Sequence, residues 1–170
     1  MNWLHTCGRR DYTSNVARSR IRPTAQFMAE WGDRLGSPEY YPEVSRLWPP
    51  LVSAAVTAVA DAPEGGVLIH CMAGRDRTSM VTAILLELVC ADRDAIFADF
   101  AQSATEINAW WRIHGGPKGS RTDTQMVEYL ADARTSLNEF LHGIDTARYL
   151  LDSGVSSDQL ARVRSRLLGD

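Results

Sequence analysis

The nine residues His-Cys-Met-Ala-Gly-Arg-Asp-Arg-Thr at positions 70–78 bring together side chains that can do chemistry. Cys71 and Arg77 are separated by five residues, and Gly74 lies between them. A loop of this length can curl so that successive backbone N–H groups point inward and bind an anion. Arginine adds a planar fork that can bind two phosphate oxygens at once. The spacing therefore predicts a loop that binds a phosphate dianion through Met72, Ala73, Gly74, Arg75, Asp76, Arg77 and Thr78.

Cys71 lies at the floor of this predicted loop, where backbone amides, the following helix and an arginine all favour a thiolate. Such surroundings lower a cysteine pKa from about 8.5 into the range ~3.5–7.5. A thiolate beneath a phosphate is placed for in-line attack on phosphorus, which gives a phosphocysteine that water then hydrolyses. We therefore predict that Cys71 is the nucleophile and that Thr78 donates a hydrogen bond to its thiolate. His70 is expected to support the loop through backbone hydrogen bonds.

The flanking segments are predicted to hold the two ends of the loop. Val67, Leu68 and Ile69 form a short apolar run that indicates a buried strand. The segment 78–90 is almost entirely apolar and predicts a central helix, in which Cys90 is expected to be a core residue. A β-strand, a phosphate loop and a helix in this order predict an α/β fold with a short, incomplete sheet.

Most of the remaining chain carries helical patterns. Segments 50–62, 92–104 and 122–133 have helical spacing, and Asp92 is suited to cap the second of them. Ser136 with Glu139 predicts a capping box for a helix that ends near Leu151. Ser156 with Gln159 predicts another for residues 157–168. The aromatic and turn-rich segment 31–50 is expected to be a loop with short helical pieces, so the carboxyl-terminal half is helix-rich.

Composition bounds the class of protein. A chain of 170 residues with 45% hydrophobic residues is long enough for one globular domain with a core. The net charge of -3 argues against non-specific nucleic-acid binding, and no apolar run reaches the ~18 residues of a membrane span. Three widely spaced cysteines without a signal-peptide pattern favour a reducing cytoplasm, although secretion by another route stays open.

The first 29 residues differ from the rest, because they hold five arginines against one acid. A disordered or artefactual leader is the leading interpretation, and a transit peptide or a folded basic edge are the alternatives. The predicted organisation is therefore a leader at 1–29 and a folded domain at 30–170. Arginine also outnumbers lysine 17 to one, so arginines here can occupy positions where other proteins use lysine.

The segment 70–78 resembles the signature loop of protein tyrosine phosphatases, His-Cys-x5-Arg-Ser/Thr. It is most similar to the loop of a bacterial tyrosine/serine phosphatase-like group, which reads His-Cys-x-Ala-Gly-Lys-Asp-Arg-Thr-Gly. The similarity extends from about Trp31 to the C-terminus. It implies a phosphotyrosine-phosphatase-like fold and hydrolysis of phosphomonoesters without metal or cofactor, with Cys71 as nucleophile and Arg77 as phosphate ligand.

Three departures from that group bear on function. Arg75 replaces a lysine, which preserves the charge, and Ser79 replaces a glycine at the helix start. Relatives also carry further residues upstream, including strands and an acidic loop expected to hold a general acid. Asp76, which matches the group's own loop aspartate, becomes the best candidate for that acid, and Asp33 is a weaker one. The alternative is that Asp76 only holds Arg75 or the loop backbone.

The sequence thus favours a cysteine-dependent phosphatase acting on a phosphorylated protein or a small phosphoester. A phosphate- or phosphoprotein-binding pseudo-phosphatase is the alternative, and a rhodanese-like sulfur carrier is disfavoured by Arg77 and Thr78. We expect neither a nucleic-acid partner nor a membrane span. An exposed edge of the short sheet would also permit self-association.

Overall fold

The computed structural model describes residues 4–6, 24–116 and 119–169. Two short strands, β1 (Leu4–Thr6) and β2 (Val67–Ile69), pair antiparallel with Leu4 opposite Ile69. The α-helices are α1 (Ala25–Trp31), α2 (Tyr41–Leu47), α3 (Pro49–Ala60), α4 (Arg77–Leu88), α5 (Arg93–His114), α6 (Asp123–His142), α7 (Thr146–Asp152) and α8 (Ser157–Leu168). Two 3₁₀ turns, Gly32–Arg34 and Pro38–Tyr40, connect α1 to α2.

Helix α4 is the centre of the fold, as its apolar sequence predicts. Its side chains at Met80, Val81 and Ile84 are essentially inaccessible to solvent. It packs against α3, α5, α6 and α7, so apolar side chains are needed on nearly its whole circumference. Because α4 begins directly after the 70–76 loop, the loop is attached to a largely buried, central helix.

Strand β2 has the predicted bounds, but the prediction that it is buried is wrong. The side chain of Leu68 is 54% exposed, because it lies on the opposite face of the strand from Val67 and Ile69, which pack against the core. Within the described ranges there is no third strand. The helix-rich character is confirmed, whereas the phosphatase-like α/β fold with a short, incomplete sheet and self-association through the sheet edge stay predictions.

The capping signals for two helices are confirmed. Asp92 accepts hydrogen bonds from the N–H groups of Asp94 and Ala95 at the start of α5. Ser156 and Gln159 form the predicted reciprocal capping box, and α8 covers the predicted residues. In each case a polar side chain satisfies N–H groups that the first helical turn leaves unpaired.

The predicted helix start at Ser136 is wrong. Helix α6 continues from Asp123 through Ser136 to His142, and its buried residues Ala133, Leu137 and Phe140 continue the same apolar stripe. The next helix, α7, is instead capped by Asp145, whose carboxylate accepts from the Arg148 N–H. A serine followed three residues later by glutamate also fits a helix interior when the apolar periodicity runs through it.

The prediction that Cys90 is a core residue is wrong as well. Helix α4 ends at Leu88, and Cys90 is exposed with a left-handed backbone, φ +57. The Ala91 N–H donates to the Leu86 carbonyl and the Cys90 N–H to the Glu87 carbonyl. This is the hydrogen-bond pattern of a Schellman motif, with cysteine at the position that glycine usually occupies.

The described residues include only a small part of the predicted leader at 1–29. Residues 7–23 lie outside them, so the leader stays a prediction. Helix α1 runs across the predicted boundary at 29/30, and its Phe27 is packed in the core. No helix within the described ranges is long and apolar enough to cross a membrane.

Candidate active site

The loop from His70 to Asp76 joins the end of β2 to the start of α4. Its backbone reverses at Gly74, which has φ +67, a conformation that side-chain-bearing residues rarely adopt. His70 Nδ1 lies 3.0 Å from the Cys71 carbonyl oxygen, which agrees with the supporting role predicted for this histidine. The described structure thus brings strand, loop and helix together in the predicted order.

Cys71 is half-buried, and its thiol is surrounded by hydrogen-bond donors. Burial by itself would raise the pKa, but the Thr78 hydroxyl and the backbone N–H groups of Thr78, Ala73 and Asp76 outweigh it. Together they lower the pKa of Cys71 from 9.0 to about 7. Donors that converge on the sulfur are the arrangement that favours a thiolate nucleophile.

The Thr78 hydroxyl is the side-chain group that most favours the ionised form of Cys71. Its Oγ1 is buried and, among the described residues, has no hydrogen-bond partner within the usual distance and angle limits, sulfur included. Its interaction with the Cys71 sulfur is nonetheless the largest of those that lower the pKa of the thiol. A thiol is a weak acceptor and a thiolate a strong one, so this contact gains most when Cys71 is ionised.

The Asp76 carboxyl is turned towards a pair of tyrosines instead of capping α4. Its Oδ1 accepts a hydrogen bond from the Tyr40 hydroxyl, and its carbonyl oxygen accepts one from Tyr41 at 3.0 Å. Burial raises the pKa of Asp76, against the opposing effects of the Tyr40 hydroxyl and of the Arg75 and Arg77 charges. A carboxyl with a raised pKa retains its proton to higher pH, which suits a proton donor.

Arg75 does not extend its side chain as a simple phosphate ligand would. The residue is 9% exposed, and its guanidinium carbon lies 4.9 Å from the ring centre of Trp111 and 6.0 Å from that of Tyr129. Its terminal nitrogen packs so closely on Gly36 that a β-carbon there would lie 2.0 Å away. The predicted phosphate contact of Arg75 therefore depends on its backbone N–H, and its side chain braces the loop.

Arg77, the predicted phosphate ligand, is the first residue of α4 and is half-buried. Its charge acts on the neighbouring Asp76 carboxyl and lowers the pKa of that group. Arg77 thus lies beside the candidate acid at the helix start, where unpaired N–H groups also favour an anion.

The outer side of the loop borders an open cleft of about 590 Å³. Met72 is 88% exposed at the tip of the loop. Ala73 and Gly74 form one wall of the cleft, and residues of α5 form the other: Ser103, Glu106, Ile107, Ala109, Trp110 and Ile113. Met72, Ala73 and Gly74 are therefore accessible from this side, and the cleft is mostly apolar.

Several residues around the loop were missed by sequence reasoning. Tyr40, Tyr41 and Gly36 belong to the aromatic segment predicted to be a loop with short helical pieces, while Trp111 and Tyr129 come from α5 and α6. The consecutive tyrosines in a turn-rich segment were the one sequence feature that could have indicated these contacts with the loop. The weaker acid candidate, Asp33, is exposed in the turn Gly32–Arg34.

Among the described residues, no group of three or more histidine, cysteine, aspartate or glutamate side chains could hold a metal ion.

Residues 15–169 match the model of the tyrosine phosphatase family, and the chain belongs to this family. It is similar to the triple specificity protein phosphatase PtpB of Mycobacterium tuberculosis (strain ATCC 25618 / H37Rv). The two are 33% identical over a 123-residue alignment that covers 61% of this chain and 44% of that protein. The chain thus spans less than half the length of this relative. No solved structure matches the chain.

Proposed function

We propose that the protein is a cysteine-dependent phosphatase that hydrolyses phosphotyrosine or related phosphomonoesters. The observation that carries the proposal is a Cys71 thiol whose pKa is lowered by the Thr78 hydroxyl and three backbone N–H groups, in a loop between a strand and a buried helix. Family membership and the similarity to a protein phosphatase support the same reaction class.

In the first step the Cys71 thiolate attacks phosphorus in line with the ester oxygen. The sulfur–phosphorus bond forms while the bond between phosphorus and the ester oxygen breaks, and that oxygen leaves with the electron pair. Arg77 and the loop amides bind the other phosphate oxygens, which carry the charge through the transition state. Asp76 supplies a proton to the leaving oxygen and becomes a carboxylate.

In the second step water attacks the phosphocysteine. The Asp76 carboxylate accepts a proton from the water, the sulfur–phosphorus bond breaks, and the thiolate is restored. Because the Thr78 hydroxyl binds the thiolate more strongly than the phosphorylated sulfur, it favours the departure of Cys71 in this step. Inorganic phosphate and the alcohol or phenol are the products.

The test is turnover of p-nitrophenyl phosphate, whose leaving group needs little protonation. Cys71→Ser should abolish turnover while retaining vanadate binding, and Cys90→Ser, which changes an exposed cysteine outside the loop, should keep full activity. Arg77→Lys, which retains the charge but loses the bidentate fork, should weaken vanadate binding and lower kcat/KM. Vanadate binding by a wild-type protein without turnover would overturn the proposal in favour of a binding module.

A further inference from the structure

Two consecutive tyrosines hold Asp76 at both its side chain and its backbone. Tyr40 ends the turn Pro38–Tyr40, and Tyr41 begins α2. The Tyr40 hydroxyl donates to Oδ1 of Asp76, whereas the Tyr41 hydroxyl donates to its carbonyl oxygen at 3.0 Å. The Tyr41 bond thereby holds the backbone of Asp76 in place, and the Tyr40 bond holds the orientation of the Asp76 carboxyl relative to that backbone.

Tyr40 has little freedom to move or to ionise. It is 3% exposed, and its ring packs edge-on against Phe27 at 6.1 Å and against Tyr41 at 5.4 Å between ring centres. Burial and the nearby Asp76 charge raise the pKa of Tyr40 far above its ordinary value. The phenol therefore keeps its proton and acts as a fixed donor.

The Tyr40 bond distinguishes the two oxygens of the carboxyl. Oδ1 accepts from Tyr40, so a proton carried on Oδ2 leaves this bond in place. The other groups acting on this carboxyl are the Gly36 N–H and the Arg75 and Arg77 charges, all of which favour its ionised form, and the Tyr41 hydroxyl is bound to the backbone oxygen.

We propose that Tyr40 is a positioning residue that orients the Asp76 carboxyl so that Oδ2 presents the proton to the leaving group. This inference rests on the proposed phosphatase function and extends it to a residue outside the signature loop. Tyr40 touches neither the phosphate nor the nucleophile in this role and acts only through Asp76.

The experiment compares Tyr40→Phe with Tyr149→Phe, which removes a half-buried tyrosine hydroxyl that donates to the Ser45 carbonyl oxygen and has no contact with Asp76. Phenylalanine keeps the ring that packs against Phe27, so Tyr40→Phe should retain the fold. For each variant, kcat/KM is measured against pH with p-nitrophenyl phosphate and with phenyl phosphate, whose poorer leaving group needs the proton. Asp76→Asn is measured in the same way, and the limb of the pH profile that disappears in it is assigned to the titration of Asp76.

In Tyr40→Phe we expect this limb to move to higher pH by about one unit, because a donor that favoured the carboxylate is lost. We also expect the ratio of kcat/KM for phenyl phosphate to that for p-nitrophenyl phosphate to fall about tenfold, within the range attributed to general acids. Tyr149→Phe should change neither quantity. In an Asp76→Asn background, Tyr40→Phe should no longer change the ratio.

An unchanged limb and ratio in Tyr40→Phe, with only a lower melting temperature, would overturn the inference and leave Tyr40 a purely structural residue. Full activity of Asp76→Asn on phenyl phosphate would also overturn it, since there would be no acid to orient. Failure of the underlying function is a separate result, because the wild-type protein would then show no Cys71-dependent turnover of either ester.

Discussion

Replacing Thr78 with alanine removes the one side-chain donor at the Cys71 sulfur and leaves the three backbone donors in place. A hydrogen bond to a charged group contributes about 1.5–3 kcal/mol, which corresponds to roughly one to two pH units of a titration midpoint. Because Cys71 is only half-buried, solvent screening places the effect at the lower end of that range. We therefore expect the midpoint to rise by about one pH unit.

The sign of the effect follows from the direction of the pKa shift. The pKa of Cys71 is lowered to about 7, so about half of the molecules carry a thiolate at neutral pH. A rise of about one unit would leave roughly a tenth of them ionised there. The rate of Cys71 alkylation at pH 7 should fall about fivefold, and should recover at high pH, where both proteins are ionised.

The assay is iodoacetamide alkylation against pH, followed by mass spectrometry of the Cys71 peptide. The alkylation profile of the exposed Cys90 in the same samples serves as an internal control and should not change. Thr82→Ala, the same substitution one turn further along α4, is the matched control variant. A Cys71 midpoint that stays near 7 in Thr78→Ala would refute the reasoning and assign the shift to the backbone donors alone.

Two further predictions concern stability and are checked by urea unfolding. Gly36→Ala should destabilise the protein by about 2 kcal/mol or more, for two reasons. The new β-carbon would displace the Arg75 guanidinium, and alanine would be strained at φ +96. Gly65→Ala, with φ +117 and open space around it, measures the strain alone, and an equal loss in both variants would contradict the packing argument. Cys90→Gly should stabilise the protein by about 1 kcal/mol, because glycine relieves the left-handed strain at φ +57. Cys90→Ala keeps the left-handed strain and should not stabilise the protein. Equal stability of the Cys90→Gly and Cys90→Ala variants would contradict the prediction.

Local sequence patterns predicted those parts of the fold that local interactions determine. The capping box at Ser156 and the side chain of Asp92 place helix starts correctly, since each satisfies N–H groups within three residues of itself. The helix start predicted at Ser136 is wrong because the apolar stripe of α6 continues through this position, and that stripe depends on the elements packed against α6. The prediction that Cys90 is a core residue is wrong because the helix ends at Leu88, which leaves Cys90 exposed in the turn that follows.

The candidate site divides in the same way. The roles predicted for Cys71, Thr78 and His70 depend on neighbours in the chain, and the groups that lower the pKa of Cys71 all come from the same short segment. The surroundings of Asp76 and Arg75 could not be predicted, because their partners lie far away in sequence. Tyr40 is 36 residues from the aspartate it binds, and no local pattern reports such a contact.

The contacts around Arg75 mean that the loop is not a self-contained unit. Gly36 packs on the Arg75 guanidinium, and the Gly36 carbonyl oxygen accepts from the Tyr129 hydroxyl at 2.6 Å across 93 residues. A peptide containing only β2, the loop and α4 would have the whole signature sequence without the residues that bury its arginine. The final shape of the loop thus depends on three distant parts of the chain, which contribute Gly36, Trp111 and Tyr129.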